Sequence, residues 1–416
     1  MSPPGSEPES RYAWLRLAAA LALMTLGGSG MYGIAVALAP VQAEFGVTRG
    51  DASLPYTLTM IGFGIGGILM GRIADRFGVV VPVMIGALGL GGGFVLAGTA
   101  SSLLQFSLAH GLLIGLLGCS ATFAPLVADT SLWFNRRRGI AVAICASGNY
   151  LAGAVWPPIL QYCFDTVGWR ATYVGTGIFC TAAMLALALA LRRRPPALDT
   201  AVQAIHARSF GKHPLGLSPN ALMVLLAIAG VGCCVAMSMP QVHIVAYCGD
   251  LGYGAARGAE MLSLMLAFGI VSRLVSGWIC DRIGGLRTLL LGSALQGIAL
   301  VMFLPFDGLV SLYVVAAMFG LFQGGIVPSY AIIVREYFPP REAGVRTGIV
   351  LMATLFGMAF GGWVSGAIFD VTGSYRAAFV NGIGWNLLNL TIAAWLLRRS
   401  WHPAAAQQKR AGLLDS

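Results

Sequence analysis

The feature that most constrains this chain is a series of twelve apolar stretches, each about long enough to cross a lipid bilayer as a helix. Spanning the hydrocarbon core takes about 20 apolar residues. We predict the spans at residues 15–39, 53–71, 79–99, 103–128, 138–160, 169–191, 220–247, 259–279, 286–304, 309–333, 344–368 and 375–397. Only 10% of the residues are charged, against about a quarter in soluble proteins. The sequence therefore predicts an all-α polytopic membrane protein with twelve transmembrane helices.

The distribution of basic residues predicts how the chain is oriented. Of the 26 Lys and Arg residues, Arg273 falls inside a span, and only Arg49, Arg170, Arg257 and Arg376 fall on one side of the membrane. The other 21 lie on the side that both termini share. Because basic loops are retained in the cytoplasm, we expect cytoplasmic termini and insertion in the inner cell membrane. The net charge of +10 follows this pattern, so no nucleic-acid partner is expected.

A loop motif occurs twice in the chain, once after the second predicted span and once after the eighth. Both copies read Gly-x-x-x-Asp-Arg-x-Gly, at Gly71, Asp75, Arg76 and Gly78 and again at Gly277, Asp281, Arg282 and Gly284. A second motif, which precedes the sixth and twelfth spans, begins at Asp165 and recurs at Asp370. Two motifs repeated at nearly the same spacing predict two six-helix halves, related by a pseudo-two-fold axis along the membrane normal.

The longest polar stretch between spans marks the boundary between these halves. Residues 192–219 contain three consecutive arginines and two adjacent prolines, which is typical of a linker. We predict a cytoplasmic linker there, with transmembrane halves at residues 13–191 and 220–398. Residues 1–12 and 399–416 are expected to form cytoplasmic tails.

With the duplicated loop motif, the sequence resembles the major facilitator superfamily over essentially its whole length. The Trp133-Phe134 pair ahead of Arg138-Gly139, together with an arginine just before Gly277, is similar to the monocarboxylate transporter and oxalate/formate antiporter branch. This resemblance implies transport by alternating access between the two halves. It also implies that the two loop motifs, at Gly71, Asp75 and Arg76 and at Gly277, Asp281 and Arg282, latch the cytoplasmic side.

Arg273 is the one charged residue that we find well inside a predicted span. It precedes Asp281 by eight residues, which places it about 12 Å from that helix end. A charge near the bilayer centre costs at least about 2.5–3.5 kcal/mol, and such residues usually face a cavity. No carboxylate is predicted near it, and in eukaryotic monocarboxylate transporters the position of Gly269, one turn earlier, is acidic. We therefore predict that Arg273 binds the carboxylate of a monoanion; the alternative is a packing arginine bonded to backbone carbonyls.

Two histidines within spans are candidates for proton coupling, because imidazole titrates near neutral pH. His243 in the seventh span is the first candidate and also a candidate substrate ligand. His110 in the fourth span is the second candidate. The alternative for each is a histidine of the protein core whose hydrogen bonds are satisfied.

Further polar residues within spans are candidates for lining a substrate cavity. They are Tyr32, Asn149, Tyr150, Gln323, Tyr330, Asn386 and Asn389. Of these, we assign all but Asn386 and Asn389 to the predicted substrate site. The alternative for each residue is a hydrogen bond between neighbouring helices.

Enzymatic chemistry has no support in the sequence. We find no phosphate-binding loop, dinucleotide fingerprint, nucleophile elbow or zinc-protease motif. The eight cysteines lack metal-ligand spacing, so no cofactor or metal is expected. We predict a monomeric secondary transporter of a small organic monocarboxylate, by proton symport or anion exchange. The alternatives are a transporter of another small solute, such as a drug or a sugar, and a membrane sensor that does not transport.

Overall fold

The computed structural model describes residues 9–134, 136–193 and 215–400, and helices cover nearly all of them. Within these residues, twelve helices are long and apolar enough to cross a membrane, and no strand is formed. They are α1 Arg11–Phe45, α2 Arg49–Phe77, α3 Val80–Gly98, α4 Leu103–Trp133, α5 Arg138–Val167, α6 Trp169–Leu191, α7 Pro219–Asp250, α8 Ala255–Ile283, α9 Gly285–Met302, α10 Leu309–Tyr337, α11 Pro340–Thr372 and α12 Tyr375–Ser400. The predicted all-α architecture is confirmed.

The predicted spans agree with these helices one for one. Ten of them lie within a single helix, and the third and ninth overrun α3 and α9 by one or two residues. Most helices also continue past the predicted span. The predicted linker at 192–219 and the predicted tails fall mainly outside the residues that the structure describes, although α1 and α7 begin within them.

Local sequence signals account for where many helices begin and end. Side-chain oxygens of Thr48, Ser102 and Ser218 accept backbone N–H groups in the first turns of α2, α4 and α7, which satisfies donors that have no partner within the helix. At the other end, α2 and α8 stop at Gly78 and Gly284, whose φ angles are +82° and +83°. These are the last glycines of the two loop motifs. Only glycine adopts such angles without strain.

Successive helices run in opposite directions, so the bundle has two distinct ends. We call the end that carries Arg11 and Ser400 the termini side, and the end that carries Arg49, Asp250 and Tyr375 the far side. The two halves of the chain meet where α2 packs on α11, α5 on α8 and α1 on α7. Where these contacts lie along the helices shows which end of the bundle is closed and which is open.

On the far side, an ionic network joins the halves along the seam between α2 and α11. Arg49 pairs with Asp250 at 3.1 Å and donates to the Tyr375 hydroxyl at 2.8 Å. The Asp370 carboxylate accepts the backbone N–H groups of Arg49 and Gly50 at 2.8 and 2.7 Å. The first turn of α2 is therefore capped by a carboxylate from the other half, where the helix dipole favours negative charge.

The opposite seam, between α5 and α8, has a different character. There the Ser263 hydroxyl donates to the backbone carbonyl of Ala154. Asp165, which the repeat pairs with Asp370, is exposed and hydrogen-bonds at 2.9 Å to Gln161 of its own helix. The sequence repeat is therefore not matched by a repeated ion pair. Among the described residues, carboxylates join the halves at the α2–α11 seam but not at the α5–α8 seam.

On the termini side, the halves are apart. Arg273 and Ala146 form the hydrogen bond between the halves that lies nearest to this side. Between that bond and the termini side, no other hydrogen bond joins the two halves among the described residues. A Cβ added at Gly71 or Gly277 would meet no atom within 4 Å. The exposed Asp75 and Asp281 form no ion pair with the rest of the described chain. The structure is therefore open on the termini side, with both loop motifs disengaged.

Replacing Asp370 by Ala should shift the protein toward a state that is open on the far side. The change removes two charge-assisted hydrogen bonds, each worth about 1.5–3 kcal/mol. With Thr57→Cys as a reporter in the α2–α11 seam, we expect an impermeant maleimide to label at least about 100 times faster, since 1.4 kcal/mol corresponds to a factor of ten.

The matched control is Asp165→Ala, which removes the equivalent carboxylate of the other repeat and should leave the labelling rate unchanged. The protein without Thr57→Cys gives the background from native cysteines. Equal acceleration by both aspartate variants would contradict a specific role for the α2–α11 seam.

Candidate functional site

Arg273 lies between the two halves, near the middle of the bundle. It is four residues from the centre of α8, or about 6 Å toward the termini side. Its Nη1 donates to the carbonyl of Ala146 on α5 at 2.9 Å. The guanidinium carbon lies 4.4 Å from the centre of the Tyr150 ring. One cation therefore contacts the opposite half through a backbone oxygen and an aromatic face.

The guanidinium of Arg273 retains hydrogen-bonding capacity. Its Nε is buried and has no partner among the described residues. A buried donor without a partner costs about 1–3 kcal/mol. Because a carboxylate binds two guanidinium N–H groups side by side, a bound anion would remove this cost and neutralise the charge.

The position one turn before Arg273 on α8, Gly269, has no room for an acidic side chain. A Cβ at this position would lie 2.6 Å from two ring atoms of Tyr150. The tyrosine ring therefore occupies the space that a side chain at position 269 would need. Cation–π contact stabilises the guanidinium but leaves its positive charge available to an external anion.

Three of the predicted site residues are brought together here. Tyr32 of α1 is 6% exposed, and its hydroxyl is within electrostatic range of both Arg273 and Tyr150. A Cβ at Gly153 would lie 2.9 Å from the Tyr32 ring, so α1 and α5 approach closely at this level. Asn149, next to Tyr150, lines a small cavity among α1, α2, α4 and α5.

Gln323 of α10 is fully buried and only partly hydrogen-bonded. Its Oε1 accepts from Nε2 of Gln241 on α7 at 3.2 Å. Its own Nε2 has no partner in the described part of the chain. Gln323 therefore keeps an unused donor, as expected of a residue that can bind a ligand.

Tyr330, by contrast, takes part in a hydrogen-bonded network between helices of the C-terminal half. Its hydroxyl donates to Oδ1 of Asn389 at 2.8 Å, and Nδ2 of Asn389 donates to Ser293 at 2.7 Å. Asn386 donates to Oε1 of Gln296 at 3.0 Å. These bonds tie α12 to α9 and α10, which corresponds to the interhelical alternative given above for such residues.

His243 belongs to the far-side network. Its Nε2 lies 2.8 Å from the carbonyl of Gly362, and its Nδ1 lies 3.0 Å from the Tyr375 hydroxyl. Because a carbonyl can only accept, Nε2 carries the proton, and the neutral ring accepts at Nδ1. The same tyrosine hydroxyl accepts from Arg49, so the histidine is connected to the ion pairs that close the far side.

His110 lies within the N-terminal half, with both ring nitrogens near hydroxyl groups. Nδ1 is 3.3 Å from Thr59 Oγ1, and Nε2 is 3.4 Å from the Tyr173 hydroxyl. The rings of Phe106 and Tyr173 pack around it. The structure therefore places the two candidate histidines in different halves, and only His243 contacts the inter-half network.

The far-side network itself was not predicted. Arg49, Asp250 and Tyr375 belong to α2, α7 and α12, which only the folded bundle brings together. One signal was available, because Arg49 is one of only four basic residues on that side. No group of His, Cys, Asp and Glu suited to a metal ion occurs among the described residues.

The bundle has two halves of six membrane-spanning helices, is closed at one end and carries a cation near its middle. These features are those of a multi-pass integral membrane transporter. The family model described as Major Facilitator Superfamily matches residues 18–312 and 261–414. The chain belongs to this superfamily.

Curated relatives agree with the narrower resemblance. Monocarboxylate transporter 13 of Rattus norvegicus is 30% identical over 336 residues, which cover 79% of this chain and 75% of that protein. Monocarboxylate transporter 11 of Homo sapiens is 29% identical over 401 residues, or 91% of this chain and 81% of that protein. The predicted resemblance to the monocarboxylate transporter branch is confirmed, and these relatives are transporters rather than enzymes.

A solved structure agrees with the fold. It is described as a bacterial homologue of the human lysosomal transporter Spinster, in an inward-facing and occupied conformation. The match covers 94% of this chain and 97% of that one, with a TM-score of 0.69 and 16% sequence identity.

Substituting Gly269 by Ala should destabilise the site specifically. The new methyl group overlaps the buried Tyr150 ring, and overpacking of this kind costs about 1–3 kcal/mol. We expect a lower midpoint of thermal unfolding in detergent. Gly277→Ala is the control on the same helix, where a Cβ meets open space. Equal midpoints for the two variants would show that the ring is not held against Gly269.

Proposed function

We propose that this protein is a secondary transporter that moves a small organic monocarboxylate across the cytoplasmic membrane by alternating access. The observation that carries the proposal is Arg273, which bonds across the halves near the middle of the bundle and whose buried Nε has no partner in the described part of the chain. A transported anion must meet the protein at such a position to be exposed to each side in turn.

Comparison of the half-buried Arg273 with two fully buried arginines supports an anionic ligand. Arg16 is 3% exposed and is held by Asp129 at 2.8 Å. Arg49 is 8% exposed and is held by Asp250 and, through its backbone, by Asp370. Arg273 alone of the three has no carboxylate partner among the described residues.

The charge balance favours a monoanion. One guanidinium neutralises one carboxylate, and a second buried charge on the cargo would remain unpaired, which is strongly unfavourable. Tyr32 and Gln323 supply neutral polar groups that suit an uncharged part of the cargo. Sugars need more hydrogen-bonding groups than this region offers, which argues against that alternative.

The transport cycle follows from the open and closed ends. The anion reaches Arg273 from the termini side, and closure of that side brings the loop motifs at Asp75 and Asp281 against the neighbouring helix ends. Opening of the far side then requires Arg49 to separate from Asp250 and Asp370. No nucleotide is needed, because differential binding of the cargo shifts the equilibrium between the two states.

Proton symport through His243 is one way to couple this cycle, and anion exchange is the other. A protonated imidazole donates from both nitrogens and can no longer accept from Tyr375. The tyrosine hydroxyl would then accept from both His243 and Arg49, which weakens the network that closes the far side. Protonation would thereby favour opening.

The proposed orientation in the membrane places both termini in the cytoplasm. The termini side carries 21 of the 26 basic residues and is assigned to the cytoplasm by the positive-inside rule. The open end of the structure is then the cytoplasmic one. We assign transport to the monomer, because the site lies within one chain.

Uptake of labelled lactate, pyruvate and longer monocarboxylates into proteoliposomes tests the anion site. Arg273→Gln should reduce uptake at least about 100-fold, since removing one partner of a buried charge pair costs 3–5 kcal/mol. Arg257→Gln, an exposed arginine paired with Glu260 on the same helix, is the control. Uptake unaffected by Arg273→Gln would contradict the proposal, and binding without accumulation would favour a sensor.

Replacing His243 by Gln tests proton coupling. We expect uptake that no longer responds to an imposed proton gradient, while exchange of internal for external anion persists. His110→Gln should retain the response to the gradient. A His243→Gln protein that is still stimulated by the gradient would exclude this histidine as the coupling group.

A further inference from the structure

Tyr56 of α2 is a buried residue between the halves that neither the sequence repeat nor the proposed anion site accounts for. Its side chain is 3% exposed. It lies seven residues along α2 from Arg49, or about 10 Å toward the middle of the bundle. Its ring packs on Gly362 of α11, in the other half, where a Cβ would lie 2.8 and 3.0 Å from two ring atoms. The ring therefore fills the α2–α11 seam just inside the far-side network.

The contacts of Tyr56 reach both the far-side network and the surroundings of the proposed anion site. On the far side, the carbonyl of Gly362 accepts the hydrogen bond from His243. On the inner side, the Tyr56 hydroxyl lies within electrostatic range of the Tyr32 hydroxyl. Tyr32 is in turn within electrostatic range of Arg273. Tyr56 therefore lies on the path between Arg273 and the far side.

A break in α2 separates Tyr56 from the part of the helix that the ion pairs hold. The short helical turn Arg49–Ala52 ends at Ser53, and the long part of the helix starts one residue later. Pro55 lies in the first turn of the long part and has no backbone N–H to bond to the preceding turn. Asp370 caps only the short turn. The ion pairs can therefore hold the short turn independently of where the tyrosine ring lies.

We propose that Tyr56 is an inner gate on the far side, a residue whose ring blocks the path from the anion site until α2 and α11 separate. This inference rests on the proposed function, because it takes Arg273 to mark the site. The far side then closes in two layers. The outer layer is the set of ion pairs at Arg49, and the inner layer is the contact between Tyr56 and Gly362. The outer layer depends on charge, whereas the inner layer depends on the absence of a side chain at position 362.

Labelling from the far side of the membrane tests this gate. Asn149→Cys places a reporter next to Tyr150, whose ring stacks on Arg273. A membrane-impermeant maleimide is added to sealed vesicles whose far side faces outward, so that it reaches the reporter only when the far side opens. Gly362→Ala should speed labelling at least about five-fold, because the new methyl group overlaps the tyrosine ring only while the seam is closed. The protein without the reporter gives the background from native cysteines.

Gly361→Ala is the matched control on the same helix. A Cβ at Gly361 would overlap Ser238 and Val235 of α7, which belongs to the same half as α11. That overlap persists in every state of the transporter. It should therefore lower the midpoint of thermal unfolding and leave the labelling rate unchanged. Equal labelling rates for the Gly361→Ala and Gly362→Ala proteins would overturn the inner gate.

Variants of Tyr56 itself provide the test should Gly362→Ala not fold. Tyr56→Ala should speed labelling at least about ten-fold, because the packing of the lost ring stabilises only the closed state. Tyr56→Phe keeps the ring and should label as slowly as the unmodified protein. Adding Gly362→Ala to Tyr56→Ala should cause no further acceleration, since the methyl group then meets no ring. Slow labelling of Tyr56→Ala, or fast labelling of Tyr56→Phe, would contradict a gate formed by the ring.

The labelling assay contains no cargo, so its outcome is separate from that of the uptake assay. If Arg273→Gln abolishes uptake while all labelling rates are alike, the anion site stands and the inner gate is wrong. If Arg273→Gln leaves uptake unchanged while Gly362→Ala still speeds labelling, the proposed cargo is wrong and Tyr56 remains the gate of a transporter with another cargo.

Discussion

The burial of arginine in a medium that solvates charge poorly is the constraint on which the rest of this structure depends. The bundle meets it in three ways. Arg16 is neutralised within its own half by Asp129. Arg49 is neutralised across the halves by Asp250 and Asp370. Arg273 contacts a backbone oxygen and an aromatic face, and no carboxylate of the described residues pairs with it. The first pairing joins helices within one half, the second closes one end, and the third leaves a charge that the proposed anion would neutralise.

The neighbourhood of Arg273 shows how a small residue determines the chemistry of a site. Gly269 provides no side chain, and the Tyr150 ring occupies the space that results. An acidic residue at that position would have paired with the arginine and displaced the ring. The protein instead keeps its cation without a carboxylate partner and held in place, so the proposed anion would bind without an internal ion pair being broken first. The cost of the unpaired donor, about 1–3 kcal/mol, would contribute to the binding energy of that anion.

The sequence predicted the features that depend on local pattern. Twelve apolar stretches and a duplicated loop motif were enough for the architecture, and the one arginine well inside a span lies near the middle of the bundle. Features that depend on which helices become neighbours were missed. Arg49 and Asp250 are far apart in the sequence, and nothing local links them. Gln323 and Tyr330 received the same assignment, yet one keeps a free donor and the other is fully engaged between helices.

The difference between the two seams has a mechanical consequence. Ion pairs and carboxylate caps bind α2 to α11. Helices α5 and α8 are joined by packing, by the Ser263 hydroxyl and by Arg273, with no carboxylate among these contacts. Separating charges requires water to reach them, but sliding one packed helix past another does not. The two halves therefore need not part evenly on the far side. Helices α5 and α8 can act as a hinge, and the α2–α11 seam as the edge that opens. Dissolved salt, which screens ion pairs but not packing, then acts chiefly on the edge that the ion pairs close.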